Sequence, residues 1–175
     1  MAISMYSASV PALMHQLTTL AGVIDKIEAH CAAKKIAPET MMNARLIADM
    51  LPFSRQVQIA CDFAKGCAAR LGGKENPSWA DEEKTLADLK VRIKRTQEFV
   101  TSVSLADING SENKPMPGLK VAGKPIKIDG QNYLHHFVLP NFYFHATMAY
   151  AIARANGVEI GKGDFLGNVP GLSFA

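Results

Sequence analysis

The sequence predicts an all-α protein, an up-down-up-down four-helix bundle with a long connection, carrying a small β-hairpin, between its third and fourth helices. Two observations carry that expectation. Apolar residues recur at helical spacing through four segments, and the helical period disappears between residues 105 and 133, where turn residues surround short alternating stretches. With 175 residues, 48% of them hydrophobic and 20% charged, the chain reads as one domain, residues 1–175, able to bury a core without disulfides or metal.

In the first helix Tyr6, Val10, Leu13, Leu17, Leu20, Ile24, Ile27 and Cys31 fall on one stripe. Pro11 lies inside that stripe, so the helix is expected to start or kink there and to run firmly from Pro11 to about Ala33. The second helix is expected from Pro38, a suitable first-turn residue, to Gly72, a suitable stop. Its stripe is Met42, Leu46, Asp49, Phe53, Gln56, Ala60, Phe63 and Cys67, with a kink at Pro52 that opens space near Asp49 and Gln56.

Ser78, followed by acidic residues, reads as the N-cap of a third helix. Leu86, Leu89, Ile93, Gln97 and Val100 form its core face, and Lys90, Arg92, Lys94 and Arg95 its solvated surface. The fourth helix starts at Pro140 and closes at Gly157. At ~100° per residue Asn141, His145, Met148 and Ile152 share its inward face, opposite Tyr143, Thr147, Tyr150 and Arg154. The remaining "VEIGKGDFLGNVPGLSFA" reads as an irregular tail.

Several function classes fall away on composition. The formal charge is +3 and the 19 Lys and Arg are scattered, so no nucleic-acid footprint is present. The apolar N-terminus has no basic residue before Lys26, unlike a secretory signal, and no uninterrupted apolar run reaches membrane-spanning length. Cys31, Cys61 and Cys67 show no C-x-x-C spacing and suit a reducing cytoplasm as buried thiols. No serine sits in a nucleophile elbow, and "GVEIGKGD" lacks the spacing and the Ser or Thr of a phosphate loop.

Four inward polar residues remain: Asp49 and Gln56 on the second helix, Asn141 and His145 on the fourth. Burying such groups unpaired costs about 1–3 kcal/mol each, so partners are expected. Either they bond to one another as a structural network, or they line a polar pocket that binds a small ligand. In the pocket reading His145 acts as general acid or base with Asp49 setting its tautomer. His145, Asp49 and Asn141 also offer one nitrogen and two oxygens to a divalent metal, although zinc or nickel normally takes more imidazole or thiolate.

The segments "RLIADMLPFSRQVQIACDFAKG", "DEEKTLADLKVRIKRT" and "LPNFYFHATMAYAIARANGVEIGKGDFLG" resemble the signature segments of a bacterial family of unknown function. That family is placed in the DinB-like, or YfiT-like, superfamily of metal-dependent four-helix bundles. The resemblance spans nearly the whole chain. It implies a zinc or nickel site with one histidine on the second helix and two, four residues apart, on the fourth; several relatives act on substrates with low-molecular-weight thiols. By position the fourth-helix pair falls on Asn141 and His145, of which only His145 matches, and Asp49 or Gln56 stands where the remaining histidine is expected. A second reading, from another class, is a non-enzymatic homodimer that associates through Tyr143, Tyr150, Phe165, Leu166, Leu172 and Phe174.

Overall fold

The structure is a computed structural model and describes residues 3–173, so Phe174 of the predicted interaction face lies outside the described residues. The molecule is mostly helical, and four long helices share one buried apolar cluster.

The first, α1 (Met5–Lys34), starts before Pro11 because Ser4 and Ser7 form a reciprocal cap: Ser7 N–H donates to Ser4 Oγ at 3.2 Å, and Ser4 N–H to Ser7 Oγ at 2.8 Å. Pro11 removes one backbone donor, and the helix runs through it. The predicted stripe is buried from Val10 to Cys31, and Ser9, Gln16 and Thr19 are buried with it.

The predicted second helix is two elements rather than one kinked rod. A short α2 (Pro38–Asn43) ends at Ala44, and α3 (Phe53–Leu71) begins after Pro52, its N-cap. Proline restricts the residue before it to extended backbone and lacks the N–H that would continue the helix. Residues 44–52 therefore turn back, closed by Phe53 N–H donating to Ala44 O at 2.9 Å. That turn leaves Leu46 and Asp49 exposed, outside the stripe predicted for them.

The third long helix, α4 (Leu86–Ser102), is capped by Thr85 and not by Ser78. Asp88 N–H donates to Thr85 Oγ1 at 3.1 Å, and Asp88 Oδ2 accepts from Thr85 N–H at 2.9 Å. The stretch from Lys74 to Lys84 is a non-helical strap, because its acids are used elsewhere. Asp81 pairs with Arg55 and, at 3.0 Å, with Arg92; Glu83 accepts from Arg92 at 2.9 Å and from Gln58 at 2.6 Å. Arg92 is consequently buried, against the expectation that it faces solvent, and Gln58 is buried with it.

After α5 (Leu105–Ile108) the predicted hairpin is present as β1 (Lys120–Val121) and β2 (Lys124–Pro125), antiparallel with Val121 opposite Lys124. Its two turn residues, Ala122 (φ 48°) and Gly123 (φ 77°), are both left-handed, as a two-residue hairpin turn requires. A helical turn α6 (Gly130–Asn132) then runs through a π-helical turn, Tyr133–Val138, directly into α7 (Leu139–Ala155). The fourth long helix therefore begins ahead of Pro140, and the proline sits within an established helix.

The helix α3 packs against both α7 and α4, and α1 lies against α4 and α7. Thus α3 separates the third and fourth long helices, which the up-down-up-down expectation makes neighbours. The 103–132 connection is long enough to let these two successive helices settle apart. The tail is not irregular throughout: α8 (Lys162–Leu166) folds back on α1, where His15 Nε2 lies 2.6 Å from Leu166 O and Gln16 Nε2 donates to Phe165 O at 3.3 Å. No helix among the described residues is long and apolar enough to cross a membrane.

Candidate functional site

Gln56 sits in the first turn of α3, its N–H donating to Pro52 O at 3.1 Å, with its side chain buried towards α7. Its amide is oriented from both ends. Nε2 donates to Leu51 O at 3.1 Å, a carbonyl that only a donor can approach, so Oε1 is the atom facing His145 at 2.7 Å. The imidazole must then carry a proton on Nδ1 to donate, and in the neutral ring Nε2 is left as a bare acceptor. Phe63 stacks beside the ring, centroids 6.0 Å apart at 19°, and Phe144 meets it edge-on at 5.2 Å. Burial among these rings lowers the His145 pKa below its ordinary 6.5, favouring the neutral form.

His145 is half-buried, because the centre of the α7 interface is Phe142, Ala146, Ala149 and Ala153. The inward direction predicted for Asn141 and His145 is thus rotated onto a flank. Asn141, also half-buried, turns its amide nitrogen back to Phe137 O at 2.7 Å, where the π turn passes into α7. Of the four predicted pocket residues, Gln56 and His145 meet, Asn141 lies one turn away on the same flank, and Asp49 stands exposed on the 44–52 turn. The tautomer of His145 is set by Gln56, in the place expected for Asp49.

These donors do not fit a zinc or nickel centre. Among the described residues no three His, Cys, Asp or Glu side chains converge. Gln56 uses both ends of its amide within the protein and Asn141 its nitrogen, which leaves one imidazole nitrogen and one amide oxygen where such a site takes three or four ligands. Cys61 and Cys67 do not repair the set: both are fully buried, and desolvation pushes their thiols up to about 12.

One aromatic ring away, beyond Phe63, a cleft of about 420 Å³ opens between α3, the strap and the hairpin, lined among others by Lys65, Arg70, Trp79, Lys120 and Tyr133. None of these was expected at a site. The sequence signal was a glycine in a helix interior, Gly66, one turn before Arg70, together with the single tryptophan of the chain.

The fold is that of a mostly helical protein whose four long helices share one core. A crystal structure of a DinB family member from Shewanella denitrificans is similar with a TM-score of 0.88 and 38% sequence identity, over 96% of this chain and 94% of that one. The family model described as a domain of unknown function, DUF1993, matches residues 5–166, and the chain belongs to that family, within the DinB-like superfamily. No curated protein matches.

Proposed function

We propose that this protein is a cytoplasmic, single-domain four-helix bundle that binds a small ligand beside His145 and moves a proton with that residue. The reading rests on the Gln56–His145 hydrogen bond, which puts a proton on Nδ1, so that the neutral ring favoured by burial has Nε2 unprotonated. A general base needs that state at neutral pH. The flanking Phe63 and Phe144 rings favour a ligand with an apolar body and one protic group, a hydroxyl, an N–H or a thiol. The imidazole accepts the proton without a metal, since the donor set does not fit one.

The test is ligand-dependent thermal stabilisation over a panel of small thiols, alcohols and amides, in the wild type and in His145→Ala. The expected result is a variant that folds and loses the stabilisation. A variant that unfolds by several kcal/mol, with no compound raising the wild-type melting temperature, would mean that His145 belongs to a structural network only.

A second reading, the non-enzymatic homodimer, is favoured by the exposure of Tyr143 and Leu172. The fold-back of α8, with Phe165 edge-on to Tyr150 at 5.7 Å, favours the monomer by using part of that surface within the chain. Light scattering that gives a monomer mass at micromolar concentration removes the dimer.

A further inference from the structure

We propose that the cleft between α3, the strap and the hairpin binds a small flat carboxylate, at a site separate from the His145 pocket. Its charge is the first reason. Among the described residues neither Arg70 nor Lys120 has a carboxylate partner within 4.0 Å. The one acid on the cleft wall, Asp62, is already 3.0 Å from Lys65 Nζ and 3.0 Å from Arg92 Nη2. The opening therefore carries unspent positive charge.

Hydrogen-bonding capacity points the same way. Arg70 uses Nη1 alone, on Gly66 O at 3.3 Å and Tyr133 Oη at 3.1 Å, which leaves Nε and Nη2 to grip a carboxylate. Tyr133 is buried, and its hydroxyl accepts from Arg70. The hydroxyl's own proton has no acceptor among the described residues, and burial pushes its pKa up to about 12, so it remains a donor at neutral pH. Donors thus outnumber acceptors at one end of the cleft.

Shape supplies the rest. Phe63 and Phe137 form an aromatic wall, their centroids 5.8 Å apart. Trp79 is fixed as a second wall by Lys65 and Arg95, whose charges lie 4.4 Å and 4.3 Å from its ring. Gly66 makes the arrangement sterically feasible: a Cβ added there would stand 2.5 Å from Arg70 Nη1. Glycine inside a helix is disfavoured against alanine, and here it clears the space in which the guanidinium lies.

Trp79 is the only tryptophan, so its fluorescence reads the cleft directly. The probes are benzoate and inorganic phosphate. Benzoate is expected to give a saturable change, and a tighter one than phosphate. Arg70→Gln should weaken it about tenfold or more, and Tyr133→Phe several-fold, by loss of charge-assisted and neutral hydrogen bonds. Gly66→Ala should melt no lower than the wild type yet also bind more weakly, because only the end of the Arg70 side chain has to move. No saturable change with benzoate overturns the proposal, as does a response equally strong in Arg70→Gln and Gly66→Ala. Phosphate binding more tightly than benzoate overturns the assignment of a flat carboxylate.

Discussion

His145 Nδ1 and Gln56 Oε1 lie 2.7 Å apart, joining α7 to α3 by a side-chain hydrogen bond across 89 positions of sequence. The bond performs two jobs. It satisfies the buried amide oxygen of Gln56, and it fixes which imidazole nitrogen is free. The link from sequence to chemistry runs through Pro52, which sets the start of α3 and places the Leu51 carbonyl where it orients the Gln56 amide.

The first prediction concerns pH. Burial sets the His145 pKa below 6.5 in the folded state, so between the two values the unfolded chain binds more protons and stability rises with pH. The contribution is full above the ordinary pKa. It begins to be lost as the pH falls through 6.5, and the loss is complete below the folded value. In urea unfolding the stability gap between wild type and His145→Gln is expected to narrow over that window. A gap that widens would show that the folded imidazole prefers its charged form. Asp88, Asp107, Asp129 and Asp164, whose carboxyls are held low mainly by hydrogen bonds, act alike in both proteins and lose their contribution at more acid pH.

A second prediction tests the strap. The Arg92 side chain is 2% exposed and holds Asp62, Asp81 and Glu83, while its Nε has no partner among the described residues. Arg92→Met is expected to lower stability by about 3 kcal/mol, the low end for breaking a buried ion pair. Each carboxylate keeps another partner: Lys65, Arg55 and Gln58 respectively. A loss below about 1 kcal/mol in urea unfolding would place the network with ordinary surface pairs.

The tail gives a third. Gly167 has φ 61°, and a Cβ there would lie 2.5 Å from Thr19 Cγ2 on α1. Gly167→Ala therefore meets both backbone strain and a clash, and should release α8 at an expense of about 1–2 kcal/mol. Limited trypsin digestion reads this at Lys162: faster cleavage in the variant is expected, and an unchanged rate would mean that α8 is not held by the contact.

Helix existence was legible in the sequence, because the α1 stripe and the apolar positions of α4 follow a clean 3.6-residue period. The hairpin was legible from its turn residues. The boundaries misled wherever a cap outweighed a periodic pattern. Ser4 extended α1 past the proline, and Thr85 with Asp88 took the role given to Ser78. Asp49 failed for a related reason: its place on the stripe assumed one continuous helix, and residues 44–52 are a turn between α2 and α3. Arg92, Gln58 and the Arg70–Tyr133 cleft were invisible because their partners arrive from the strap and the π turn, which no local pattern brings together.

The most direct test of the account is long-range proton–nitrogen NMR of the His145 side chain at neutral pH, with Gln56→Leu as the comparison. The account predicts a neutral ring with the proton on Nδ1 and a bare Nε2, titrating below 6.5, and a mixture of tautomers once Gln56 is removed. A protonated Nε2 in the wild type, or a cationic ring at neutral pH, would contradict it.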